Sequence, residues 1–225
     1  MPPSAPQCYG GVLSGPLRRI GIVSVARSDW GPLQPLITAL GEQAWVMPWP
    51  DLKGISTCDL IVIFGDRWEM AAAASHAIGR CLPIVHLHAG ETTEAVIDDQ
   101  CRAAISAMAT IHVAAAEPYA AKLRAQGYAR VYCLGAPGLA RLLEDPIPQD
   151  LILVAFHPET RGNPDIAGQT EALMLATLGM GQRLVFTAPG MDCGRDAIVL
   201  GVERYGYKFL NFSDEEWVGL LAQAA

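Results

Sequence analysis

Short clusters along this sequence gather the residue types that move protons or hold anions. They are Ala26-Arg-Ser-Asp-Trp-Gly31, Gly65-Asp-Arg-Trp-Glu69, His86-Leu-His-Ala-Gly-Glu-Thr-Thr-Glu94, Ile97-Asp-Asp-Gln-Cys-Arg102 and Phe156-His-Pro-Glu-Thr160. Asp66 and the pair Asp98/Asp99 are the acid/base candidates. Adjacent carboxylates near a third raise one another's pKa, as general acid catalysis near neutral pH requires. Asp98 also suits a helix N-cap, which leaves Asp99 to face a site. Arg27 and His157 suit a diphosphate, through charge-assisted hydrogen bonds. The plainer alternatives are an Arg27–Asp29 surface pair and a packed or solvent-facing His157. His86 and His88 alternate on a strand and point to opposite faces, so they do not share a metal. His88, at the strand end, is the site candidate of the two, and Glu91 follows in the same cluster.

Other chemistries lack their residues. No GxGxxG or GxxxxGK[ST] loop is present for a dinucleotide or nucleoside triphosphate, and no GxSxG nucleophile elbow occurs. The six cysteines show no CxxC and no zinc-knuckle spacing, so free thiols in a reducing cytoplasm are expected. Arg102 beside Cys101 would lower that thiol's pKa, yet no partner base is evident and a core or helix-face cysteine is the simpler reading. Most of the tryptophans read as packing residues, since they do not space as a stacking platform. A net charge of −7 argues against a nucleic-acid partner, which needs a basic surface. No apolar run reaches the roughly 18 residues of a membrane span. Met1–Gly15 reads as a frayed leader without signal-peptide features. Over 225 residues, 51% are hydrophobic and only 17% charged, enough to bury a core.

The elements that must position these clusters are legible as short β-branched runs alternating with Ala/Leu-rich stretches. Strands are expected at 19–25, 44–47, 60–64, 83–88, 111–113 and 131–134, with helices at 32–40, 68–80, 98–109 and 117–126. This alternation predicts an α/β fold: a parallel sheet covered on both faces, with the polar clusters converging at the carboxyl edge of the strands. The polar, proline-containing stretch 143–150 reads as a linker. Beyond it the pattern restarts, with strands at 151–156, 183–187 and 208–211 and helices at 165–178 and 197–204. Ser213 three residues before Glu216 has capping-box spacing for a last helix. Domains are therefore expected at 17–142 and 151–225.

The ordered series of clusters resembles the hydrolysing UDP-N-acetylglucosamine 2-epimerases of sialic-acid biosynthesis. Those carry GDR-[FYW]-E, then H-I-[HE]-G-G-E and I-D-[DE]-x-x-R-H; Arg27 and Phe156-His-Pro-Glu-Thr160 lie in stretches similar to two further motifs. The resemblance implies a two-domain, Rossmann-like, glycosyltransferase-B-like fold. It also implies elimination of UDP with loss of the C2 proton, then addition of water to release N-acetylmannosamine. On this chain it makes Asp66 and Asp99 acid/base residues with Asp98 beside them, and His88 and Glu91 parts of the catalytic cluster. Arg27, Arg67, Arg102 and His157 would hold phosphate or carboxylates. No metal or cofactor is implied; the partner is a nucleotide sugar. The chain departs from the pattern in a shorter stretch between Gly31 and Leu60, at Ala89 (usually Gly) and at Ala103 (usually His). A later Gly-Asn-Ser-Ser-Ser-Gly segment has no counterpart in these residues, so the N-terminal domain is expected complete and the second truncated. An open sheet edge would favour a homodimer. A non-catalytic nucleotide-sugar-binding or interaction protein is the second reading.

Overall fold

The computed structural model describes residues 16–93, 97–141, 151–158, 165–190 and 194–224. These form two compact units, one of the described residues up to 140 apart from Ile97, the other of the described residues from 141 onward with Ile97. In the first, β1 (Ile20–Ser24), β2 (Ala44–Pro48), β3 (Leu60–Phe64), β4 (Ile84–Leu87), β5 (Ile111–Ala114) and β6 (Val131–Cys133) make one sheet. Its order is β2-β1-β3-β4-β5-β6 and every pairing is parallel. Helices α1 (Arg27–Leu40), α2 (Trp68–Ile78), α3 (Asp98–Met108) and α4 (Glu117–Ala125) connect the strands.

The unbroken apolar runs of the strands are explained by burial on both sides. On β3, Ile61 and Ile63 pack with Met70, Ala73, Ala74 and Ala77 of α2 and Ile105 of α3. Leu60 and Val62 face the other way, against Leu33, Leu36 and Ile37 of α1. Each such aliphatic side chain contributes roughly 1.5–3 kcal/mol when fully buried. The chain leaves β1 toward β2 on one side and β3 toward β4 on the other. The gap between β1 and β3 is therefore the topological switch point, where open α/β sheets bind ligands.

The second unit holds β7 (Leu151–Val154), β8 (Arg183–Thr187) and β9 (Phe209–Leu210), parallel and in that order. With α5 (Ile166–Thr177), α6 (Arg195–Arg204) and α7 (Asp214–Gln223), it buries Val154, Met174, Phe186, Ile198 and Val202. The Ser213–Glu216 capping box opens α7, with both reciprocal bonds made. Both units are thus Rossmann-like α/β layers, the second smaller in its described part.

Several expectations need correction. α1 begins at Arg27, five residues before the expected start, and runs through Pro32 and Pro35. Proline lacks a helix hydrogen bond, but here the apolar face of Leu33, Leu36 and Ile37 holds the helix to the sheet. Three tryptophans are not simply packing residues: Trp30, Trp45 and Trp68 are 43%, 43% and 59% exposed. Trp68 meets the half-buried Trp49 edge to face at 6.1 Å. Among the described cysteines Cys58, Cys101 and Cys133 are free, whereas Cys81 is disulfide-bonded, so free thiols throughout do not hold. The expected linker at 143–150 lies outside the described residues, as do Glu94, Glu159 and Thr160. Among the described residues no helix is long and apolar enough to cross a membrane.

Candidate active site

Three consecutive chain crossings bring the acidic clusters together at the carboxyl edge of β3 and β4. After β3 the chain turns at Gly65, whose φ of +76° suits glycine, and presents Asp66. After β4 it turns at His88, a non-glycine residue with φ +59°. This left-handed conformation is uncommon for a histidine and marks a constrained turn. His88 therefore lies just beyond the strand rather than in it. Gly90 follows with φ +81°, and a Cβ there would sit 2.8 Å from Leu123 Cγ and the Tyr119 carbonyl, so only glycine lets this loop lie against α4. Asp99 and Arg102 then stand one turn apart on α3, which puts both on one face.

Arg102 is the centre of the arrangement. It is 5% exposed, and its guanidinium donates to Asp66 Oδ2 with one terminal nitrogen and to Asp99 Oδ1 at 3.1 Å with the other. Asp99 Oδ1 also accepts the Thr93 backbone N–H at 2.8 Å. Asp66 and Asp99 thus share one cation, through charge-assisted hydrogen bonds. The Arg102 Nε has no hydrogen-bond partner among the described residues. Beside this clamp His88 Nδ1–H donates to Glu91 Oε1 at 2.7 Å, and the Phe64 ring packs edge to face on the imidazole at 5.0 Å. A carboxylate accepts only, so this bond places a proton on Nδ1. Its Nε2 is buried and has no hydrogen-bond partner among the described residues. Glu91, Asp99 and Arg102 line one pocket of about 120 Å³, together with Gly90, Ala103 and Lys122. Ala103 contributes only a methyl group there. Lys122 Nζ reaches the Thr92 hydroxyl at 2.5 Å.

The structure brings together Asp66, His88, Glu91, Asp99 and Arg102. The other candidates stand differently. Asp98 opens α3, half-buried. Arg67 precedes α2 and is exposed. Arg27 starts α1 directly after β1, and its side chain is outside the described set. His157 follows β7 in the other unit and is exposed. Whether Arg27 pairs with Asp29 lies outside the described side chains, but Asp29 has a backbone role. That carboxylate is 4% exposed and accepts the Val25 and Ala26 N–H groups at 2.7 and 3.0 Å, tying down the turn that carries Arg27. Its place three residues after the helix cap was the signal for this bond. Cys101 is not activated: burial raises its thiol pKa, helped by the charges of Asp98, Asp66 and Glu69, so Arg102 does not prevail. Among the described residues no group of three His, Cys, Asp or Glu side chains is placed to hold a metal.

Sequence reasoning set His86 aside, yet it is fully buried under the cluster. Its Nε2 lies 2.8 Å from the Gly65 carbonyl and its Nδ1 3.0 Å from Ser106 Oγ on α3. A polar residue inside the apolar run 84–87 was the available signal, because a buried polar group must find partners.

A family model described as UDP-N-acetylglucosamine 2-epimerase matches residues 50–216. The chain is 29% identical over 166 residues to the UDP-N,N'-diacetylbacillosamine 2-epimerase (hydrolyzing) of Legionella pneumophila, covering 66% of this chain and 44% of that protein. It is 27% identical over 193 residues to polysialic acid biosynthesis protein P7 of Escherichia coli, covering 76% and 49%. The chain therefore spans about half the length of the curated relatives it matches. Among solved structures, the UDP-GlcNAc 2-epimerase of Neisseria meningitidis bound to UDP-GlcNAc superposes with a TM-score of 0.67 at 14% identity. That superposition covers 92% of this chain and 76% of the other.

Proposed function

Because this chain belongs to the UDP-N-acetylglucosamine 2-epimerase family, we propose that it acts on a UDP-linked 2-acetamido sugar by the hydrolysing route. UDP-N-acetylglucosamine would give N-acetylmannosamine and UDP. The observation that carries the reading is the Arg102 clamp on Asp66 and Asp99, sharing a pocket wall with the Glu91 of the His88–Glu91 pair. Inversion at C2 removes a proton from one face of the sugar and returns one to the other, so two proton-handling groups are required. The His88 ring, oriented through Nδ1 by Glu91 as a triad carboxylate orients its histidine, supplies Nε2 as one such group. Asp66 and Asp99, fixed by Arg102, supply the second group.

In the first step the C2–H bond breaks to a base, a C1–C2 double bond forms and the C1–O bond to UDP breaks. In the second, water adds its oxygen to C1 and a proton enters C2 from the opposite face. Arg27, Arg67 and His157 are assigned to the diphosphate, and Asp98 supports the acidic cluster. The same reading places the protein in the cytoplasm, which the free Cys58, Cys101 and Cys133 support and the Cys81 disulfide counts against. It also makes the protein a homodimer, for which the β6 edge, unpaired among the described residues and with Tyr132 50% exposed, is the support. The test is incubation with UDP-N-acetylglucosamine, and in parallel with UDP-N,N'-diacetylbacillosamine, in heavy water enriched in oxygen-18. Deuterium at C2 and oxygen-18 at C1 of the released sugar are expected. Release of neither product rejects the catalytic reading. The second reading is a nucleotide-sugar-binding protein without turnover. UDP raising the Tm while no sugar is released would establish it.

A further inference from the structure

We propose that His86 is a positioning residue, whose buried ring sets the Gly65–Asp66 turn against α3 and so fixes the Asp66 carboxylate opposite Arg102. This rests on the assignment of Asp66 to the reaction. The path is short. His86 is 0% exposed on β4, between the turn after β3 and the inner face of α3. The Gly65 carbonyl can only accept, so the 2.8 Å contact places a proton on Nε2. Nδ1 is then the acceptor for the Ser106 hydroxyl at 3.0 Å. Ser106 stands one helical turn after Arg102 and is itself 4% exposed. Its backbone carbonyl accepts from His112 Nε2 at 2.8 Å, which pins that end of α3 to β5.

One ring thus joins the backbone beside Asp66 to the helix that carries Asp99 and Arg102. Gly65 needs this hold. Among the described residues nothing lies within 4 Å of where its Cβ would be, and its φ is +76°, so their packing does not otherwise fix the turn on that side. Its N–H donates to the Leu87 carbonyl at 3.1 Å, which leaves its own carbonyl to His86. A neutral ring serves this role, and the surroundings keep it neutral. Arg102 is a fixed cation nearby, and His112 and His88 are the other titratable groups that act on it.

The experiment compares His86→Leu, which removes both bonds, with His86→Gln, whose amide can still donate to the Gly65 carbonyl. Ile84→Val on the same strand is a packing control. On UDP-N-acetylglucosamine, H86L is expected to lower kcat by roughly 10–100-fold with KM changed less than threefold, since misplacement by about 1 Å costs up to ~10²-fold. H86Q is expected to recover most of the loss, and I84V to keep kcat within about twofold. A readout without turnover separates this from failure of the proposed reaction. In carbon-13-labelled protein the Asp66 carboxyl signal is expected to shift in H86L and to stay in place in I84V. Nitrogen-15 spectra are expected to show wild-type His86 as the neutral Nε2–H tautomer at pH 7. An Nδ1–H tautomer, or an Asp66 signal unmoved in H86L, overturns the proposal even if no substrate is turned over. Equal loss of kcat in H86L and H86Q overturns it as well.

Discussion

At the scale of single residues, Arg102 decides more than any acid. Its two ion pairs are largely buried, with Asp66 and Asp99 side chains only 23% and 22% exposed. Removing one partner from such a cluster leaves uncompensated charge. Arg102→Met is therefore expected to lower stability by about 2–4 kcal/mol in urea unfolding at pH 7. Asp66→Asn keeps the size and a hydrogen-bond acceptor but loses the charge. It is expected to cut UDP release at least ~10²-fold while folding normally by circular dichroism, general acid/base groups being worth that much. Unchanged release would remove Asp66 from the mechanism. His86 gives a pH prediction. Burial first, then the charges of His112, Arg102 and His88, pull its pKa from 6.5 down to about 4, against the Gly65 hydrogen bond. The unfolded chain takes up this proton first, so the contribution is fully present above pH 6.5 and is lost as pH falls toward 4. At about 1.4 kcal/mol per unit, the loss approaches ~3 kcal/mol. Urea titrations at pH 7 and pH 4.5 should show wild type losing this much more than His86→Gln, and equal slopes would contradict it.

At the scale of elements, local chemistry holds the site's supports in place. The turn into α1 depends on Asp29 Oδ2 accepting two backbone N–H groups. Asp29→Ala leaves both donors in a half-buried setting and is expected to cost about 2 kcal/mol, seen as a fall in Tm. Ser213→Ala, at the exposed cap of α7, is expected to cost about 1 kcal/mol. A loss below 0.3 kcal/mol would show that the cap adds nothing to folding. The strands were readable as elements because both faces of the sheet are buried, and β3 and β8 match their expected limits residue for residue. The start of α1 was not readable. A sequence rule places proline at the first helical turn, whereas packing of Leu33 and Leu36 on the sheet sustains the helix through Pro32 and Pro35.

At the scale of the molecule, size and association are measurable. The proposed homodimer predicts a light-scattering mass about twice 24.0 kDa, and a single-chain mass would reject it. UDP at 100 times its Kd is expected to stabilise the protein by ~2.7 kcal/mol, and no rise in Tm would exclude nucleotide binding. By itself the sequence determined the α/β alternation, the two parallel sheets and the family, because periodicity and ordered motifs are local properties of the chain. Asp66, His88, Glu91, Asp99 and Arg102 were among its candidate residues. What only the tertiary structure decided is how they meet: Arg102 between Asp66 and Asp99, His88 in a left-handed turn bonded to Glu91, and His86 beneath them. Asp66 and Arg102 are 36 positions apart, and His86 and Gly65 are 21 apart. Such pairings follow from which strands lie side by side and which helix face is buried, and no spacing within one segment encodes them.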